Sequence, residues 1–115
     1  MLPRKRKREK MGVRQDSRIS CPQHLAYVRS LECSVNDEWC EGRIEPHHVR
    51  EGLAGVGRKP DDSDAVPLCA YHHKLGHVRG WQTFERIYLI DLSRIASALW
   101  ERSPAGQRYR MKERV

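Results

Sequence analysis

The stretch CAYHHKLGH, Cys69 to His77, packs one cysteine and three histidines into nine residues. A second stretch, EPHHV from Glu45 to Val49, adds two more histidines, so five of the six in the chain fall in two short groups. Imidazole and thiol donors at such spacings are metal-ligand chemistry. A metal would also constrain this chain more than its apolar content does. Hydrophobic residues make up 38% of the 115 positions and aromatics 7%, a thin supply for a self-sufficient core, and a structural ion commonly supplements small folds of this kind.

The spacings separate two jobs. His73 and His77 are four apart, which on a helix sets both imidazoles on one face, close enough to share an ion. Cys69 and His72 form a C-x-x-H pair at the start of the same segment, and Cys33 and Cys40 could complete a tetrahedral site of sulfur and nitrogen donors. His72 and His73 are neighbours, about 100° apart around a helix, so one can serve a structural ion and the other a different site. His47 and His48 lie upstream on an expected strand. A strand, loop, strand and helix in that order can bring the end of the first strand beside the helix face. The plainer reading makes Cys33, Cys40 and Cys69 ordinary buried thiols.

Along the chain, PQHLAYVRSLEC (22–33) carries Leu25, Val28 and Leu31 at near-helical spacing. SVNDEWCEGR is turn-rich. RIEPHHVR reads as a strand with Pro46 at an edge or end. EGLAGVGRKPDDSD reads as a loop, AVPLC as a second strand, and Cys69 to Val78 as a helix. Trp81, Phe84, Tyr88, Leu92, Ile95, Leu99 and Trp100 form an apolar stripe at three-to-four spacing, read as core on one or two helices with Asp91 capping the second. The class is α+β in one domain over 19–102, between a basic arm (1–18, with Arg4-Lys5-Arg6-Lys7-Arg8) and a polar basic tail (103–115). The arm cannot bury apolar area and is either a DNA-grasping segment or a solvated tail.

Formal net charge is +7. That favours a polyanionic partner, nucleic acid above all, though a merely soluble basic protein has the same balance. No apolar run approaches the ~20 residues of a membrane span, so no membrane partner is expected. MLPRKRKREK is followed by no apolar segment of a secretory signal, so the expected compartment is a reducing cytoplasm. There, cysteines near histidines read as metal ligands sooner than disulfides.

Together EPHHV, the Gly-rich loop ending in GRKPDD, and DAVPLCAYHHKLGH resemble the HNH (His-Me finger, ββα-metal) endonucleases, in particular the small phage and bacterial members around the RecA-dependent Ref-type nucleases. HLAYVRSLEC and GWQTF extend the resemblance over roughly residues 24 to 84. It implies a small ββα-metal core with flanking helices and a structural zinc knuckle. It makes His48 the general base, His47, His73 and His77 the ligands of a catalytic divalent ion, and Cys33, Cys40, Cys69 and His72 the structural zinc site. That divalent ion is expected to be magnesium or manganese, with zinc as a further option. Asp64 falls where the family often has the asparagine that braces the hairpin. Two departures stand out. Six residues separate Cys33 from Cys40, more than the usual about two to four. Adjacent strand residues also point to opposite faces, so His47 and His48 share one site only if the strand ends or twists there.

The implied chemistry is hydrolysis of DNA phosphodiesters. A neutral imidazole, with a pKa of about 6.5, can take a proton from water. An ion held by three histidines keeps open positions for phosphate oxygens. Arg43, Arg50, Arg58, Lys59, Lys74 and Arg79 are candidates to hold phosphates without reading bases. A recombinase filament is a candidate protein partner by the same resemblance. The competing hypothesis is a non-catalytic zinc-finger module that binds nucleic acid. It explains Cys33, Cys40, Cys69 and His72 and the charge, and leaves His47, His48, His73 and His77 without a task.

Overall fold

A computed structural model describes residues 18–49 and 59–114. The elements in chain order are α1 (Pro22–Arg29), β1 (Ile44–His48), a 3-10 turn (Asp62–Asp64), β2 (Ala65–Cys69), α2 (Ala70–Arg79), α3 (Trp81–Tyr88), α4 (Leu92–Arg102) and α5 (Pro104–Arg114). The chain is therefore α+β, with helices around a two-stranded antiparallel sheet. The basic cluster Arg4 to Arg8 and the candidate phosphate-binding residues Arg50 and Arg58 lie outside the described residues.

β1 and β2 pair with Ile44 opposite Cys69 and His48 opposite Ala65. Pro46 faces Pro67 in this register. Neither proline has an N–H, so the pair must take the position that exchanges no ladder bonds. The outward carbonyl of Pro67 accepts instead from the N–H (2.8 Å) and hydroxyl (2.9 Å) of Ser34. All five residues of β2 are buried. Val66 and Leu68 join Phe84, Leu92 and Ala96 in the core, with Cys33 and Cys69 at its margin.

α2 begins where β2 ends, because the Cys69 sulfur accepts from the His72 N–H and caps the helix. α2 stops at Gly80, whose φ of 92° reverses the chain into α3. α4 opens at Asp91, whose carboxylate accepts from the Arg94 N–H at 3.1 Å. The apolar stripe is continuous through these helices. Phe84, Leu92 and Leu99 are buried, while Trp81 and Tyr88 turn toward histidines.

The segment after Ser103, read from sequence as a polar tail, is helical as α5. The Ser103 hydroxyl accepts from Gly106 N–H at 3.1 Å and starts the helix. Ala105 is buried, Tyr109 packs on Trp100, and Arg110 donates to the Trp100 carbonyl at 3.0 Å with its guanidinium over the indole. The apolar positions here are few, so periodicity does not reveal the helix; one cap and one tryptophan anchor it. At the other end, Arg18 to Cys21 are clasped to the turn before β2. Ile19 N–H donates to Asp61 (2.9 Å), Cys21 N–H to Asp62 (2.8 Å), and Arg18 Nε to the Pro60 carbonyl (3.0 Å).

Candidate metal centres

Two groups of metal-ligand side chains converge among the described residues, and together they use seven of the eight positions expected to bind metal or act as base. Cys33, Cys40, Cys69 and His72 form the first, with all donor atoms within 4.8 Å of one another. The Nδ1 of His72 lies 3.7, 3.6 and 3.1 Å from the sulfurs of Cys33, Cys40 and Cys69. A tetrahedron with Zn–S of about 2.3 Å and Zn–N of about 2.0 Å has edges of roughly 3.5–3.8 Å, so two of these separations already match. The long Cys33–Cys40 spacing is absorbed by a turn. Asn36 takes a φ of 50°, the Asp37 carboxylate accepts from Trp39 N–H (2.9 Å), and its carbonyl accepts from Cys40 N–H (3.2 Å). Asp37 also places Oδ1 3.2 Å from His72 Nε2, within ion-pair reach though out of line with the ring N–H. The Nδ1 edge of the ring faces the three sulfurs.

The electrostatics of this group call for a cation. Burial raises Cys69, but the N–H groups of His72 and Glu41 and the His72 side chain outweigh it and bring the thiol down to about 7. Burial, with the neighbouring Cys69 and Cys33, pushes Cys40 up to about 11 despite the backbone at Asp37. Three thiolates in one small volume repel one another unless a positive ion sits among them.

His47, His73 and His77 form the second group, again with donor atoms within 4.8 Å. His73 and His77 come from successive turns of α2, their rings 4.9 Å apart. His47 reaches them from β1 at 5.2 and 5.9 Å between ring centres. It is 2% exposed, and neither of its ring nitrogens has a hydrogen-bond partner among the described residues. A buried imidazole with two idle nitrogens, aimed at two others, fits a metal ligand. Burial, then the charges of His73, His77 and His48, hold its pKa down to about 3, so it is the neutral, ligating form at any ordinary pH. Glu45 Oε1 accepts from His73 Nδ1 at 2.7 Å, which turns the other nitrogen toward the site. His77 is exposed, so the group opens to solvent on that side.

His48 does not enter this group. It is the last residue of β1, and its Nε2 meets Asp62 Oδ1 at 3.0 Å. Asp62 is 3% exposed and also binds Cys21 N–H and stands 3.7 Å from Arg18 Nη2. The Asp64 main-chain carbonyl accepts from Val49 N–H at 2.9 Å and ties the end of β1 to the turn before β2. The carboxylate on the histidine is that of Asp62, two residues earlier.

Each of His48, His72 and His73 thus has a carboxylate of its own: Asp62, Asp37 and Glu45. None was read from the sequence as a site residue. Asp37 and Asp62 sit in turn-rich stretches, where aspartate has ordinary turn chemistry, and their partners are 35 and 14 positions away. Glu45 alone carried a local hint, being two residues from His47 on the same strand face. Trp81, read as core, stacks on His47 with 3.9 Å between ring centres. Arg43, Lys59, Lys74 and Arg79 are exposed. The sixth histidine, His24, belongs to neither group; it is buried against Tyr27 and Trp100. No helix of the described residues is long and apolar enough to cross a membrane.

Comparisons with protein-family models, with curated proteins and with solved structures find no match for this chain.

Proposed function

We propose that this chain is a metal-dependent endonuclease of the HNH (ββα-metal) type that hydrolyses DNA phosphodiester bonds. The observation that carries the reading is the convergence of His47, His73 and His77 on one solvent-open point, with His48 next to His47 at the end of β1. The order β1, 3-10 turn, β2, α2 suits a ββα-metal finger, and the Cys33–Cys40–Cys69–His72 group supports a structural zinc at its base. A zinc-finger module accounts for the second of these features only.

His47, His73 and His77 would hold the divalent ion, which when bound supplies Lewis-acid stabilisation of the phosphate and leaving oxygens. Three neutral imidazoles suit zinc or nickel better than magnesium or manganese, which favour oxygen donors. Glu45 keeps His73 turned for ligation. Asp62 binds His48 at Nε2, which leaves Nδ1 to accept the proton of the attacking water. Imidazolium formed there is stabilised by the buried carboxylate. Arg43, Lys59, Lys74 and Arg79, with the arm, supply phosphate contacts that carry no base specificity. A recombinase filament as partner and a cytoplasmic site of action complete the reading as proposals.

The test is incubation of the purified protein with supercoiled plasmid, alone and with magnesium, manganese, nickel or zinc, beside His48→Ala. Nicking or linearisation by wild type and its loss in a folded, metal-binding His48→Ala are expected. No cleavage by wild type with any of these ions, with or without a recombinase filament, overturns the hydrolytic reading.

A further inference from the structure

From the packing around His47 we infer that Trp81 is a positioning residue of the three-histidine site and that Gly76 and Gly80 exist to seat it. The inference rests on the reading of His47, His73 and His77 as ligands of one ion. It adds a residue from a different helix, one that donates nothing to a metal.

The indole lies nearly parallel to the His47 ring, at 24° and 3.9 Å between centres. It also touches the other two ligands, at 6.2 Å from His73 and 5.3 Å, edge-on, from His77. No other aromatic side chain among the described residues meets all three. His47 lacks a hydrogen bond at either nitrogen, so unlike His73 it has no carboxylate to set its ring plane. Stacking supplies what hydrogen bonding does not. The offset or parallel contact of two rings restricts rotation about χ2 and keeps the nitrogen edge directed at His73 and His77. It also shields one face of the site from water, leaving the exposed His77 side as the approach.

The backbone is arranged for this contact. At Gly80 the φ of 92° and the N–H bond to the Gly76 carbonyl (2.9 Å) fold α3 back on α2. Trp81, the first residue of α3, then lies across Gly76. A Cβ on Gly76 would stand 2.0 Å from Trp81 Cζ3 and 2.1 Å from Cη2. The indole therefore occupies the place of a side chain on the helix that bears His73 and His77. The sequence G-H-V-R-G-W, Gly76 to Trp81, encodes the whole device.

The experiment reads metal binding, not cleavage. Protein is dialysed against EDTA, its remaining metal counted, and nickel then titrated into wild type, Trp81→Phe and Trp81→Leu. Wild type should take up one equivalent. Trp81→Leu should bind it about 10–100-fold more weakly, the range for losing an outer support of a ligand, with Trp81→Phe in between. Zinc content at the cysteine site should stay unchanged. Because Trp81 also packs on Phe84, a second measurement leaves Trp81 itself in place: in Trp39→Phe/Trp100→Phe, its fold checked by circular dichroism, nickel should quench the fluorescence of the one tryptophan left, saturating at one equivalent. Wild-type affinity in Trp81→Leu, or absence of quenching while nickel binds, overturns the role of Trp81 and leaves the three-histidine site standing. Failure of wild type to take up nickel at all overturns the site and this inference with it.

Discussion

Gly76→Ala is the substitution for which helix propensity and packing give opposite signs. By propensity alone, alanine in place of glycine inside a helix stabilises by about 1 kcal/mol. Gly76 is buried, however, and an added Cβ would come within 2.0, 2.1 and 2.5 Å of three carbons of the Trp81 ring. Carbon contacts are comfortable at about 3.5–4 Å, so α2 and the indole must part by roughly 1.5 Å. The indole cannot yield on its other face, where His47 is stacked at 3.9 Å. Overpacking of this kind costs about 1–3 kcal/mol, and the upper part of that range applies where a rigid ring is trapped on both sides. The expected net loss is about 1–2 kcal/mol, or a fall of roughly 4–8 °C in the thermal midpoint for a domain of this size. Calorimetry on the wild type, Gly76→Ala, Trp81→Leu and the double variant closes a cycle. In the Trp81→Leu background, alanine should cost less or become stabilising. A thermal midpoint for Gly76→Ala equal to or above that of the wild type would refute the packing argument and restore propensity as the deciding effect.

Three further outcomes are expected. Cys69→Ser should lose bound zinc and much of its folding stability, since metal-binding and folding free energy are shared at such a site; metal analysis and a chelator-dependent melt check this, and a normally folded, zinc-containing variant would contradict it. Asp62→Asn should lower plasmid cleavage by about 10-fold or more with the metal affinity unchanged, and more than Asp64→Asn does, because the Asp62 carboxylate is the one on His48. The third concerns pH in protein freed of metal at the three-histidine site. His47 has a folded pKa of about 3 against about 6.5 unfolded, so its contribution is full above about 6.5 and fades as pH falls toward 3. Between pH 7 and 5 that is about 2 kcal/mol of stability, measurable in denaturant, and His47→Gln should show a correspondingly flatter profile.

Local spacing is enough to read the elements from Pro22 to Arg102 and the donor types. A short apolar run from Ala65 to Cys69, then the four-residue His73–His77 spacing and the three-to-four stripe from Trp81, mark strand, helix and helix without help from distant residues. The C-x-x-H and H-x-x-x-H spacings assign the α2 histidines to two different directions, because a helix turns about 100° per residue. Asp91 as a cap was legible for the same reason: its partner is three residues away. The tertiary structure decided what depends on distant parts of the chain. Which carboxylate meets which histidine rests on pairs such as Asp62 with His48 and Glu45 with His73, joined by the hairpin and the sheet register. Asp64 and Asp62 are chemically equivalent in sequence; only the 3-10 turn selects the second. The helical state of Pro104–Arg114 depends on Trp100 and on the face of α1, because its own apolar residues are too few to declare a period. Trp81 reads as core from any stripe, and packs on a candidate ligand only because Gly80 bends the chain back and Gly76 leaves the space. Local periodicity carries the first kind of information; close packing between distant segments creates the second.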